Sequence, residues 1–287
     1  MSAALADPAT FLSGESGNVS GIRLGVTRTL ADLGLTMASL LTLTGPRLER
    51  LARSQPPRSV TVVSVYRPSS RLPAALGAVA SERHDVCLCL GATAEEPDPV
   101  LASATEVTGL ADRGKFENLN RLLEAAPRTD WTLAVDDDVA LPHRFLDRFL
   151  ALAERLDLDL AQPAQTWRSH AAWRVTRRRP VLARRTRFVE IGPVTAFSRR
   201  AAEELLPFPE LRWGWGLDNH WSAVAARCGW GLGVIDCLPV RHEWQPVATG
   251  YAHADAIEEA RRFLADRPYV HTDDAQRTVA TIRRLGS

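Results

Sequence analysis

The sequence predicts an α/β protein with a mostly parallel central sheet flanked by helices. Three observations carry that expectation. Apolar strand-like runs alternate with amphipathic helical runs between residues 58 and 242. Runs such as "SVTVVSVYR" and "DVCLCLGA" are apolar throughout, the pattern of strands covered on both faces. The chain, 287 residues with 45% hydrophobic and 24% charged, is long enough for one large α/β domain or two small ones.

Residues 1–25, rich in Gly, Ser and Ala, read as a loose arm. Val26, Leu30, Leu33, Met37, Leu40 and Thr44 then recur at steps of three and four. That spacing predicts an amphipathic helix, broken at Gly45-Pro46 and resumed to Arg53. Its expected role is packing on the domain, with a homodimer seam through 26–44 or a membrane-surface contact as alternatives. "SVTVVSVYR", "DVCLCLGA", "TEVTGL", "DWTLAVDDD" and "DLDLAQPAQ" read as strands. Between them, "RLPAALGAVASER", "KFENLNRLLEAAP" and "PHRFLDRFLALAERL" read as helices, the last started by Pro142. "FVEIGPVTAFS" and "WGLGVIDCLPVRHEW" read as further strands, "RRAAEELLPF" and "GLDNHWSAVAARCG" as helices. The tail from Tyr251 reads as two helices. The expected organisation is an arm and helix over 1–57, a catalytic domain over 58–250 and a helical tail over 251–287.

The formal charge of +1 gives no global pull toward nucleic acid or an anionic membrane, so any anion-binding face must be local. Of 35 basic residues one, Lys115, is a lysine. Four cysteines without a C-x-x-C pair speak against a disulfide scaffold and against zinc. With no signal-like or membrane-spanning run, the expected location is cytoplasmic. Residues 167–187 are strongly basic and carry Trp167 and Trp173. They could form a lid over a diphosphate, a solvated loop or a nucleic-acid patch, and net charge disfavours the last.

The densest chemistry is "LAVDDDVALP", an apolar strand that ends in Asp136, Asp137 and Asp138. A strand-terminal D-x-D offers two hard oxygen ligands to one divalent cation, Mn2+ or Mg2+. Alternation puts Asp136 and Asp138 on one side and Asp137 on the other, where it caps or braces. The bland reading is an acidic turn at the start of the next helix.

Downstream residues favour the site. "GKFENLNRLLEAA", "WTLAVDDDVALP", "FVEIGPVTAFSRRA", "RWGWGLDNHWSAVAARCG" and "GVIDCLPVRHEW" follow one another in order. Together they resemble the GT-A fold glycosyltransferases, family-2-like members and, most nearly, a less characterised group with DDDV and GWGLD motifs. The resemblance spans roughly residues 58 to 245. It implies a metal-dependent transfer of a sugar from a nucleoside-diphosphate sugar to an acceptor hydroxyl, with inversion. It implies Asp136, Asp138 and His242 at the metal, with Asp136 also near the nucleotide. Asp218 becomes the general base, its bland reading being a helix cap. Tyr66, Arg67, Lys115 and Asn120 become nucleotide contacts, and Trp213, Trp215 and Glu190 acceptor or sugar contacts. Where many family-2 enzymes carry an aspartate for the base, this chain reads "GATAEE". The acceptor could be a glycan, a lipid-linked precursor, a protein or a small molecule. The alternatives are a nucleotidyltransferase of related fold, which usually has a Gly-rich loop where this chain reads "VYRPSSRLP", and a non-catalytic nucleotide- or carbohydrate-binding relative. A HAD-type phosphatase also uses D-x-D but wants a lysine downstream, and Lys115 lies upstream.

Overall fold

A computed structural model describes residues 5–14, 22–41, 44–242 and 252–285. Its strands are β1 (Ser59–Tyr66), β2 (Asp85–Ala92), β3 (Thr105–Val107), β4 (Trp131–Val135), β5 (Val139–Ala140), β6 (Leu160–Gln165), β7 (Ala183–Thr186), β8 (Val194–Ser198), β9 (Leu232–His242) and β10 (Thr278–Ile282). The helices are α1 (Ile22–Leu41), α2 (Thr44–Ser54), α3 (Leu72–Val79), α4 (Lys115–Ala125), α5 (Phe145–Arg155), α6 (Arg199–Leu205), α7 (Leu217–Cys228), α8 (His253–Leu264) and α9 (Thr272–Ala275).

The expected α/β architecture is present. The sheet runs β10-β7-β9-β6-β8-β4-β1-β2-β3, and β5 pairs with the end of β9. Only β7 and β8 run against the other strands of that path. Strand alternation sorts the core into two layers. Val60, Val62, Leu133 and Val135 face the side packed with Leu48, Leu72 and Phe145. Val63, Cys89 and Ala134 face the side of Phe116, Ala201, Trp221 and Phe263. The sheet is thus covered on both faces, and the few polar side chains of its central strands, such as Thr61 and Ser64, are buried with the apolar ones.

Several local expectations change. Helix α5 starts at Phe145 rather than Pro142, because Arg144 before it takes a left-handed φ of 51°. Gly45 and Pro46 sit in the first turn of α2, and the described part of α1 ends ahead of them at Leu41. Of the arm, residues 5–14 are docked: Phe11 is buried, and Thr272 Oγ1 donates to the Leu12 carbonyl. The tail adds β10 to the sheet beside two helices, with its exposed Val279 on the outer edge.

Helix α1 packs on the domain in the opposite sense to its pattern. Its polar side faces inward: the Asp32 carboxylate accepts from the backbone N–H groups of Trp167 and Arg168. Arg178 donates to the Asp32 carbonyl and to Thr36 Oγ1. Val26, Leu30, Leu33 and Met37 point outward, each more than half exposed. No helix among the described residues is long and apolar enough to cross a membrane.

The basic stretch 174–187 is largely built into the domain. Arg177 donates to the carbonyls of Thr166, Ser169 and Ala171. Arg184 forms a two-point ion pair with Asp236, at 2.8 and 3.0 Å, and both side chains are fully buried. Neither a lid nor a solvated loop describes these guanidinium groups. Replacing Arg184 with methionine strands Asp236 without its counter-ion. That change is expected to lower the unfolding free energy by about 3–5 kcal/mol in urea titration.

Candidate functional site

The strands that share a direction end at one edge, and antiparallel β8 begins there. Ligands of α/β sheets sit outside that edge. Here it delivers Arg67 after β1, Asp136 after β4, Gln165 at the end of β6, His242 at the end of β9 and Glu190–Gly192 ahead of β8. These residues line a cavity of about 380 Å³, together with Lys115, Asn118, Trp213 and Trp215.

The three aspartates take different partners. Asp137 is buried, and its carboxylate accepts from the Arg67 backbone N–H and from both ends of its guanidinium, at 2.9, 3.0 and 2.6 Å. It braces the β1–β4 edge, from the turn that follows β4 rather than from the strand itself. Asp138 lies 2.9 Å from His242 Nε2 and 3.4 Å from Arg67. Burial works against its ionisation, but the His242 hydrogen bond and the cationic neighbours outweigh it and hold its carboxyl below the usual range. Asp136 pairs with Lys115 Nζ at 2.5 Å, while burial pushes its own carboxyl upward. For His242, burial favours the neutral ring, yet Asp138 wins and raises it.

One ligand atom each from Asp136, Asp138 and His242 lies within 4.8 Å of the others. Two carboxylate oxygens and one imidazole nitrogen make a donor set suited to Mn2+ or Mg2+. Gly192 lets the main chain press against this cluster. A Cβ there would sit 2.8 Å from Asp136 Oδ2 and 3.3 Å from Lys115 Nζ.

Asp218 occupies the first turn of α7, where helix dipoles favour a carboxylate. Gly216, at φ 84°, is the cap residue, so Asp218 is not the cap itself. Gly214, at φ 75°, makes the other bend, and a Cβ there would strike the Phe116 ring. Asp218 is 4% exposed, and burial, with Glu190 nearby, pushes its carboxyl up to about 8 against the backbone N–H groups of Asn219 and Ile191. Glu190, also buried, is pushed up to about 7 by burial. Asp218 does not touch the three-residue cluster. The Ile191 peptide links them: its N–H faces Asp218 and its carbonyl accepts from Lys115 Nζ at 3.3 Å. Asp218 opens instead on an adjoining cavity of about 420 Å³ that shares Glu190, Ile191 and Trp215 with the first.

Two expected contacts are not brought to the first cavity. Tyr66 is buried, with its hydroxyl 2.8 Å from Thr105 Oγ1 and accepting from the Asp98 N–H. Asn120 uses both ends of its amide on the Phe208 main chain. The same helix instead sends Asn118, two residues earlier, to the cavity wall. Helical spacing carries the reason, since Lys115 and Asn118 are three apart on one face and Asn120 lies elsewhere.

Besides Asn118, and Arg113 on the same cavity wall, three residues escaped the sequence reading. Gln165 lies at a strand end like the others, which is the signal that could have found it, and His170 lines the same wall. Gln165 Oε1 and His170 Nδ1 are buried without a hydrogen-bond partner among the described residues. The third, Glu259 on α8, accepts from the backbone N–H groups of Arg212, Trp213 and Gly214 at 2.7–3.1 Å. No local signal predicts it, because its partners lie 45–47 residues away. Glu259→Ala is expected to loosen the loop that carries Trp213 and Trp215. Faster amide hydrogen exchange across residues 211–216 than in the wild type would report that loosening.

No family model matches the chain, and no curated protein matches it. Solved structures do resemble it. GalNAc-T7 with UDP, GalNAc and Mn2+ shows 13% identity and a TM-score of 0.48 over 68% of this chain and 46% of that one. S. aureus TarS 1-349 with UDP-GlcNAc shows 13% identity and a TM-score of 0.48 over 68% of this chain and 62% of that one. A mycobacterial protein shows 18% identity and a TM-score of 0.44 over 70% of this chain and 72% of that one. The match thus spans less than two thirds of the GalNAc-T7 and TarS chains.

Proposed function

We propose that the chain is a GT-A type glycosyltransferase that moves a sugar from a nucleoside-diphosphate donor to an acceptor hydroxyl, with inversion. The observation that carries this reading is the meeting of Asp136, Asp138 and His242 beside Lys115 and Arg67, in a cavity at the carboxyl edge of the sheet. Asp136, Asp138 and His242 would hold the divalent cation, which when bound supplies positive charge for the departing diphosphate. Arg67, Arg113 and Lys115 line the same cavity and favour phosphate oxygens there. Trp213 and Trp215 offer aromatic faces to the sugar. Asp218 takes the acceptor's hydroxyl proton as that oxygen bonds to the anomeric carbon and the bond to the diphosphate breaks. One displacement of this kind inverts the anomeric centre.

The test is to incubate the protein with Mn2+ and a panel of nucleotide sugars and to follow release of nucleoside diphosphate. Metal-dependent release supports the reading. Silence across the panel, with no nucleotide binding, overturns it, and binding without release favours the non-catalytic alternative.

The partner over 26–44, a second copy of this chain, belongs to the same proposal. Four outward apolar residues on one helix face can cover their own equivalents about a two-fold axis. Leu30→Glu with Leu33→Glu is expected to turn a dimer into a monomer in sedimentation velocity. A wild-type chain that sediments as a monomer at high concentration would remove this seam.

A further inference from the structure

The two adjoining cavities differ sharply in charge. The first is walled by Arg67, Arg113 and Lys115, as a diphosphate requires. Among the described residues of the second there is no arginine or lysine, in a chain with 35 basic residues. Its wall holds Trp173, Trp215, Leu12 and Ile257, with the carboxyls of Glu190 and Asp218 at the junction with the first.

Glu190 is held by the protein: its Oε1 accepts from the Ala172 N–H and its Oε2 from Gln165 Nε2 and Thr176 Oγ1. Asp218 faces the cavity beside it, where a ligand's hydroxyl can donate to its carboxylate. An anion there would face the buried carboxyls of Glu190 and Asp218, with the His253 ring the one basic side chain on the described wall, and burying a charge without a matched partner is costly. A ring with hydroxyl edges and apolar faces fits indoles and carboxyls together. A volume of about 420 Å³ suits a small molecule rather than a polymer segment.

We infer that the second cavity, closed by Leu12 of the docked N-terminal segment and Ile257 of α8, binds an uncharged, polyhydroxylated acceptor of mono- or disaccharide size and excludes phosphorylated or carboxylated ones. This inference rests on the glycosyltransferase reading, since it gives Asp218 the acceptor's hydroxyl. It assigns the side from which that hydroxyl arrives and the charge it may carry.

The experiment is saturation-transfer NMR on the full chain with Mn2+ and UDP present. The probes are methyl glucoside and cellobiose against glucose 6-phosphate and glucuronate. Calorimetry with Mn2+ and UDP, run separately, tests the donor reading on its own. The expected result is that the neutral sugars bind at least tenfold more tightly than the anionic ones. Ile257→Trp should remove the neutral-sugar signal and leave UDP binding within twofold. Leu12→Arg, which adds a cation to the wall without filling the cavity, should shift preference toward glucose 6-phosphate at least fivefold. It also keeps the proposal testable if the tryptophan variant does not fold. Anionic sugars binding as well as neutral ones, no binding by either neutral sugar, or no change in Leu12→Arg would each overturn the inference, even where UDP binds normally.

Discussion

Asp138→Ala is expected to lower metal-dependent transfer by a factor on the order of a thousand, because the change removes the buried centre of the cation site. Asp138 is 4% exposed and joins the turn after β4 to His242, at 2.9 Å. Without it, His242 loses its carboxylate partner and the three-residue cluster keeps Asp136 as its one acidic ligand. The fold should persist, since Arg67 keeps its paired hydrogen bonds to Asp137. A melting curve near that of the wild type, together with lost Mn2+ dependence, is the predicted pair of results. Asp137→Asn should do the converse. It weakens the Arg67 clamp and lowers stability, while Asp136, Asp138 and His242 remain.

Asp218→Asn is expected to cut kcat by roughly 10²–10⁴-fold while donor affinity stays unchanged. A base works only when ionised, and burial holds Asp218 up to about 8. Transfer by the wild type should therefore climb with pH and level off near that value, and the slope should vanish in Asp218→Asn. Stability moves the other way. In the unfolded chain the carboxyl loses its proton near pH ~4. Between that pH and about 8 the folded state holds a proton that the unfolded state has released. Stability then falls as pH rises through the window. Glu190, pushed up to about 7, adds to the same decline. Asparagine is neutral at every pH, so Asp218→Asn should match the wild type at low pH and exceed it at pH 8 in urea titration. A pH-independent wild-type rate with an unchanged Asp218→Asn turnover would remove Asp218 as the base.

The site was legible in the sequence where strand geometry decides. β4 was plain as an apolar run that ends just ahead of the three aspartates, and β9 as one that ends in His242, which pairs antiparallel with Val139 of β5 just past them. Glycines flanking Trp215 marked the turn that presents Asp218, and their positive φ values account for that residue choice. The helix that supplies Lys115 was equally clear, but Asn120 was not separable from Asn118 without the helix's rotation about its axis. Tyr66 looked like a strand-end ligand, and the Thr105 and Asp98 contacts that bury it come from β3 and the loop before it, over 30 residues away. The arginines of 174–187 misled for the same reason. Arg177 and Arg184 meet main-chain carbonyls and Asp236, and composition cannot show that a guanidinium faces inward. Helix α1 shows the limit of periodicity. The stripe was real, but three polar anchors to the domain turned it outward.

The central claim is that Asp136, Asp138 and His242 form one cation site that a nucleoside diphosphate completes. Manganese paramagnetic resonance tests it directly, by titrating Mn2+ into the protein with and without UDP. The account predicts one tight Mn2+ site per chain in the presence of UDP, weakened at least a hundredfold in Asp138→Ala and in His242→Ala. Mn2+ that stays free in the presence of both protein and UDP, or that binds equally well to both variants, would contradict it.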